Sequence, residues 1–473
     1  MTDQKQEPGE LGEMGTILDD EAGTGVVEPG TSTREGAFDE HRPPDAALIG
    51  DCVHCGFCLP TCPTYVLWGE EMDSPRGRIY LMKEGIDGEP MSDSMVQHWD
   101  ACLGCMSCVT ACPSGVQYDR LIEQTRAQVE RRHRRSPGDR ALRELIFALF
   151  PYPRRLRVVR GPLRLWQRTG LDRRLRRTGL LQRMAPQLAA MESLAPTLGS
   201  PQPLPERIPA SGTRRATVGM LTGCVQGAFF PEVNAATARV LAAEGCEVVV
   251  PQKQGCCGAL SAHNGREDEA QRFARRLIDT FERAGVEHVV VNAAGCGSTM
   301  KEYAELLADD PAYADRARAF ADRVRDISEI LDDLGPVAPR HPLPITVAYH
   351  DACHLAHAQR VRAQPRSLLR GIPGLELREI AQPELCCGSA GIYNILHPEP
   401  ARELGDRKAA TIVATGAELL VTANPGCLMQ VAGSLDRLQA AADPGGKRIG
   451  MAHTVEVLDA SIRGLPAHDL TDR

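Results

Sequence analysis

Two stretches, CVHCGFCLPTCP at 52–63 and CLGCMSCVTACP at 102–113, repeat the spacing C-x2-C-x2-C-x3-C-P. Three thiolates set two residues apart curl around one side of a [4Fe–4S] cube, and a fourth, followed by proline, departs towards a neighbouring cluster. The spacing predicts two cubes with exchanged ligands. One takes Cys52, Cys55, Cys58 and Cys112, and the other takes Cys62, Cys102, Cys105 and Cys108. Residues 52–119 must then fold as one unit, because each run completes the other's site. Zinc also binds CxxC pairs, but it needs two pairs per ion and has no use for a third cysteine and a trailing proline, repeated. Such a pair of cubes is most simply an electron wire, each moving one electron at a time.

The chain carries 17 cysteines in 473 residues. No apolar run reaches the roughly 18 residues of a membrane span, and the acidic N-terminus lacks a signal peptide's order, so a cytoplasmic location is expected. Disulfides are rare in that compartment, and patterned cysteine there points to metal or redox chemistry. Charge is uneven. Residues 1–45 hold 12 acids against 3 bases and are expected as a disordered tail. Residues 126–184 hold 18 arginines against 4 acids. This basic stretch, with Arg173, Arg174, Arg176 and Arg177, is expected as a solvated helical face, or as a docking face for an acidic partner or an anionic membrane surface. Nothing resembles a base-reading module, so nucleic acid is not an expected partner.

The expected fold class is α/β. Residues 46–135 form a mainly helical two-cluster domain, 136–212 an Arg-rich helical segment and Pro-rich linker, and 213–340 and 341–465 two duplicated α/β modules. In each module a strand-like run leads to a lone cysteine, and a CCG pair and a fourth cysteine follow. The lone-to-pair separations are 32 residues (Cys224 to Cys256) and 33 (Cys353 to Cys386), and the pair-to-last separations are 40 (Cys256 to Cys296) and 41 (Cys386 to Cys427). Three landmarks kept in register mark an internal duplication. Alternating strands and helices predict parallel sheets, with cysteines at strand ends where ligands gather. Cys224, Cys256, Cys257 and Cys296 are thus expected to converge, as are Cys353, Cys386, Cys387 and Cys427. Each set either holds a further iron–sulfur cluster or works as redox thiols. His350 and His354 bracket Cys353 and are candidates to hydrogen-bond sulfur or carry protons. Cys246 lies outside the repeat and is expected in the core.

Two ferredoxin-type runs followed by two CCG repeats resemble the iron–sulfur subunits of flavin dehydrogenases and of heterodisulfide reductases. The stretches SPRGRIYLMKEG, YHDACHLAHAQRVRAQPRSLL, CCGSAGIYN and TANPGCLMQ narrow this. Over residues 48–463 the chain is similar to the glycolate oxidase iron–sulfur subunits. The resemblance implies an electron-transfer subunit without its own substrate site, whose FAD-binding partner subunits oxidise glycolate to glyoxylate, with a quinone-type acceptor downstream. It also carries the cluster ligands onto the eight N-terminal cysteines. Lactate and anaerobic glycerol-3-phosphate dehydrogenase subunits are the nearer alternatives, and a disulfide reductase using the CCG thiols is the more distant one. The reductases end their motif in CxxC, whereas Cys296 is followed by GST and Cys427 by LMQ, so their unusual cluster is not implied here. Two-electron oxidation of a hydroxy acid needs a cofactor such as flavin, and no dinucleotide fingerprint follows a strand in this chain.

Overall fold

The computed structural model describes residues 36–170, 183–200, 202–443, 446 and 448–472. Arg173, Arg174, Arg176 and Arg177 lie outside them. Helix Pro75–Ile86 starts where the Ser74 hydroxyl accepts from the Gly77 N–H and Pro75 presets the first turn. Its Ile79 and Met82 meet Trp99, Leu121, Ile122 and Val129, the last three from helix Tyr118–Arg132, in a small core that also includes Cys102 and Cys108. Cores of this size usually draw stability from bound metal. Residues 36–45, expected as the end of the tail, pack on this domain. Ala37 is fully buried and Phe38 lies 5.8 Å from Trp99. Asp39 pairs with Arg131, which holds its carboxyl down to about 2. The abundance of acids in the segment hid these few anchoring residues.

Helices Pro137–Leu149 and Pro153–Thr169 occupy the Arg-rich segment. They are straps as much as a linker. Ile146 and Phe147 pack against Ile392 and Ile395 of the second module, and Leu156 packs against Ala228 and Phe229 of the first. Val158 and Leu165 stay exposed. Among the described residues, no helix is long and apolar enough to cross a membrane.

The first module has strands β1 (Arg207–Ile208), β2 (Ala216–Met220), β3 (Cys246–Val249), β4 (His288–Val291) and β5 (Val324–Asp326) in the order β1-β3-β2-β4-β5, parallel except for β1. The second has β6 (Ile345–Tyr349), β7 (Leu375–Glu379), β8 (Leu419–Thr422) and β9 (Gly450–His453) in the order β7-β6-β8-β9, all parallel. Without β1 the orders coincide, so the cysteine register reflects a duplicated fold. Central strands such as Val289–Val291 and Leu419–Val421 are fully buried, as sheets covered on both faces require. In this order the chain leaves β2 to one side and then crosses to the other, which opens a crevice at the strands' C-terminal ends.

Helices Pro231–Ala243 and Thr454–Arg463 join the modules. Val240, Leu241, Val455 and Leu458 share one core, and Arg239 holds Asp459 through two bonds of 2.7 and 2.9 Å. The Ala294 N–H donates to the Ala423 carbonyl, and His453 bonds the Asn292 carbonyl at 2.8 Å. The C-terminal ends of β4 and β8 therefore touch, and the two cysteine-bearing edges lie side by side.

Candidate iron–sulfur and thiol sites

Both N-terminal runs use one backbone device. The residue before the second cysteine is left-handed (His54 φ 54°, Gly104 φ 62°), and so is the residue after it (Gly56 φ 86°, Met106 φ 62°). Such turns aim successive N–H groups at an enclosed anion. The Gly104 N–H, for instance, reaches Cys102 Sγ at 3.3 Å. For His54 and Met106 the conformation costs about 1–2 kcal/mol each, which a wrapped cluster offsets.

The tertiary fold brings the exchanged partners together. Cys112 and Cys55 both lie within electrostatic reach of Cys52, and Cys105, Cys102 and Cys62 within reach of Cys108. Among the described residues no three of these eight sulfurs crowd within 4.8 Å of one another. Thiolates at the corners of a cube stand further apart than thiolates around one zinc ion, so the donor sets fit two cubes. Burial pushes the Cys58 thiol up to about 11 and Cys108 well above its ordinary range, so thiolates here require a cation or metal. Cys102 is the exception. Burial opposes its ionisation, but Arg78 and Arg126 pull it below the usual range. Arg78 is fully buried, donates to Asp73 and to the His98 carbonyl, and stands 4.0 Å from Cys62 Sγ. The Tyr118 hydroxyl lies 3.6 Å from Cys102 Sγ.

In the modules the lone and closing cysteines, expected at strand ends, sit at the starts of the helices that follow. Cys224 precedes Val225–Phe229 and Cys353 precedes the π-helical turn His354–Ala358. Cys296 and Cys427 lie in the first turns of helices Ala294–Lys301 and Pro425–Ala442. The β–α connections are so short that the chain is already helical when it reaches the cysteine. The CC pairs lie in the loops after β3 and β7. The glycine completing each CCG has a double cause. Gly258 (φ 83°) and Gly388 (φ 86°) are left-handed, and they lie against helices Glu267–Ala284 and Pro398–Val413 respectively. A Cβ on Gly388 would lie 2.5 Å from the Ala401 carbonyl oxygen, and one on Gly258 3.2 Å from that of Ala270.

Both sets of four thiols converge. Cys224 Sγ is 3.4 Å from Cys256 Sγ, and Cys256 and Cys296 both donate to Cys257. The second module repeats the series Cys353, Cys386, Cys387, Cys427. In each pair the second cysteine is the better thiolate. Cys257 is held well below its usual range by hydrogen bonds from Cys256 and Cys296, and Cys387 by bonds from Cys386 and Cys427. Cys353 is likewise held down by Cys386 and by His354, whose Nδ1 lies 3.6 Å from its sulfur. His350 stands beside Cys387. Cys246 is fully buried in β3, as expected.

The N-terminal domain meets the second module through Cys105, which packs with Cys386 and the less buried Cys353. Ser107 Oγ fastens the contact, donating to the Glu384 carbonyl at 2.8 Å and meeting His357 Nε2 at 3.1 Å. The His354 ring then lies 4.8 Å from that of His263, which reaches electrostatically to Cys257 of the first module. At the opposite end Cys55 is exposed, between Val53 (67% exposed) and Phe57 (65%).

Sequence reasoning missed Arg78, Tyr118, His263 and Lys408. The Lys408 signal was present. It falls in the buried stripe Ala401, Leu404, Gly405, Ala409, Ile412, where helical spacing calls for an apolar residue. Its amine donates to the Gln382 carbonyl, and burial drives its pKa down against the pull of Cys387 and Cys386.

Known proteins resemble this chain in sequence over most of its length. A 4Fe-4S dicluster domain model matches residues 49–116, and a cysteine-rich domain model matches 218–301 and 347–432. The model for the linker region of the glycolate oxidase iron–sulfur subunit matches 138–195. The chain is 39% identical to a probable glycolate oxidase iron–sulfur subunit of Bacillus subtilis, over 83% of this chain and 90% of the relative. It is 35% identical to the glycolate oxidase iron–sulfur subunit of Escherichia coli, over 88% and 95%. A Lactate utilization protein A of Shouchella clausii is 32% identical over 51% of this chain and 98% of its own length. The dicluster domain, the linker and the duplicated cysteine modules agree in order and extent, and the chain belongs to the glycolate oxidase iron–sulfur subunit family.

Proposed function

We propose that this electron-transfer subunit of a hydroxy-acid oxidase relays electrons singly from FAD on partner subunits, where glycolate becomes glyoxylate, towards a quinone-type acceptor. The supporting observation is the unbroken succession of sulfur sites from exposed Cys55, through buried Cys105, to Cys353 and Cys386. Bound cubes, held by Cys52, Cys55, Cys58 and Cys112 and by Cys62, Cys102, Cys105 and Cys108, supply one-electron oxidation and reduction. The chain's own residues do the rest. Val53 and Phe57 offer an apolar rim at Cys55 for a donor subunit. Trp99, Leu121 and Ile122 keep water from the inner sulfurs, while Arg78 and Tyr118 supply the hydrogen atoms and charge that those sulfurs need. The CCG thiols are the downstream station, as further iron centres or as redox thiols. Exposed Val158 and Leu165, among Arg154, Arg157 and Arg168 on helix Pro153–Thr169, suit a peripheral position on an anionic membrane face.

The test is iron and acid-labile sulfide analysis of the anaerobically purified complex, with reduction by glycolate followed by EPR. At least about eight irons per chain are expected. Phe57→Asp should keep that iron yet slow reduction by the flavoprotein about tenfold or more. A colourless, zinc-loaded chain would end this reading. Reduction by lactate but not glycolate would transfer it to the lactate-oxidising branch, which the Lactate utilization protein A relative also supports.

A further inference from the structure

The two modules share a fold but differ in the chemistry around their thiols. Three residues before the lone cysteine, the second module has His350 where the first has Leu221. One residue after that cysteine the contrast is His354 against Val225. The second module buries Lys408 on the helix after its CCG pair, whereas the matching helix of the first, Glu267–Ala284, buries Leu277 and Ile278. At these three matched positions only the second module carries imidazole and ammonium groups; the imidazole near the first module's sulfurs, His263, comes from another position and is held by Glu123.

The position of His350 gives this difference a meaning. The side chain is 1% exposed, and the one partner its ring finds is the sulfur of Cys387. A weak contact with sulfur satisfies a buried imidazole poorly, and a metal ion shared with that sulfur would satisfy it better. The ring is aimed at the thiols. An imidazole nitrogen of His350 and the sulfurs of Cys387 and Cys427 lie within 4.8 Å of one another, and among the described residues these three form the only such group of metal donors. Around a tetrahedral zinc-like ion, neighbouring N and S donors stand about 3.5–3.8 Å apart, so small rotations bring all three onto one ion. Asn424 Nδ2 lies 3.4 Å from Cys427 Sγ and steadies it from the outside, as second-layer donors do in metal sites. In the first module Leu221 fills the equivalent space within the core that contains Cys256 and Cys257.

We propose that the second module binds a single thiophilic divalent metal ion through His350, Cys387 and Cys427, a mixed imidazole–thiolate centre that the first module, with Leu221, cannot form. The site lies beyond the contact of Cys105 with Cys353 and Cys386. It therefore deepens the proposed relay by marking the second module as the metal-bearing half of the pair. Cys353 and Cys386 remain beside the ion, and Cys353 is near enough to influence both Cys387 and Cys427 electrostatically.

Cobalt(II) is the probe, because the iron of the N-terminal clusters is silent at the cobalt absorption edge. The anaerobic full-length chain with its clusters is titrated with Co2+, and the cobalt edge is examined by X-ray absorption. One equivalent should bind with thiolate-to-cobalt charge-transfer bands, and the scattering should require one imidazole alongside sulfur. His350→Leu, which copies the first module, should weaken cobalt binding at least tenfold, while Leu221→Ala should leave it unchanged. A sulfur-only cobalt shell in the wild-type chain, or unaltered affinity in His350→Leu, would overturn the assignment. The wild-type scattering decides the matter even if His350→Leu fails to fold. EPR of the N-terminal clusters in the same samples reports on the relay separately, so loss of either reading is seen without the other.

Discussion

Arg78 gives the sharpest quantitative test of the inner cluster site. Its guanidinium is fully buried and Nη1 lies 4.0 Å from Cys62 Sγ. Two unit charges at about 4 Å interact by about 4 kcal/mol at an effective dielectric constant of about 20. An electron added to a cube is spread beyond one sulfur, and Asp73, 3.2 Å from Arg78 Nη2, cancels part of the field. Halving the figure leaves about 2 kcal/mol of preference for the reduced state. At about 1.36 kcal/mol and 59 mV per tenfold for one electron, that is roughly 90 mV. A cation stabilises the more negative reduced form, so Arg78→Gln should lower the midpoint potential of the inner cluster by roughly 90 mV. Arg78→Lys, which keeps the charge, should move it far less. An anaerobic redox titration monitored by EPR reads both, and undiminished iron content shows that the sites are intact. A shift under about 20 mV, or one to higher potential, would refute the electrostatic argument.

Gly388→Ala should cost more than about 2 kcal/mol in denaturant unfolding, combining left-handed strain with the 2.5 Å approach to Ala401. Gly258→Ala, with a nearest approach of 3.2 Å, should cost less, and the reverse order would contradict the packing account. Cys246→Ala should lose only about 1–2 kcal/mol and no iron, because this sulfur fills core space; reduced iron would make it a ligand. His453 is fully buried, and desolvation drives its pKa down to about 4. The unfolded chain, at about 6.5, binds the proton more readily, so this contribution is complete above pH of about 6.5 and fades as pH falls towards about 4, by up to roughly 3 kcal/mol. His453→Asn, which keeps a cap for the Val455 N–H, should flatten the fall in Tm across that window; an equally steep fall would exclude His453 as its source.

The spacing of the eight N-terminal cysteines was readable because a chain can wrap a small cluster only through turns of two or three residues, so the metal's shape is written into local intervals. The duplication was readable for a related reason: a strand, a loop pair and a helix start recur at fixed chain lengths. Helices Pro75–Ile86 and Tyr118–Arg132 likewise rest on local signals, Ser74 and Pro75 at the start of one and Leu121, Ile122, Thr125 and Val129 at helical spacing in the other. It could not show that residues 36–45 are ordered, since Phe38 and Asp39 gain their partners Trp99 and Arg131 from 61 and 92 positions away.

By itself, then, the sequence determined which cysteines recur at fixed spacings and that the two cysteine-rich modules are duplicates of one plan. Tertiary structure decided everything that depends on which sets are neighbours: Cys105 against Cys386 and Cys353, Arg78 beside Cys62, and His263 against His354. It also made the two modules unequal, because a histidine at 350 comes to lie beside Cys387 and Cys427 while a leucine at 221 joins the core around Cys256 and Cys257. The physical reason is reach. Covalent spacing limits contacts over a few residues, whereas contacts across a hundred are selected by burying apolar surface and satisfying buried charge, and those demands are met by the fold as a whole.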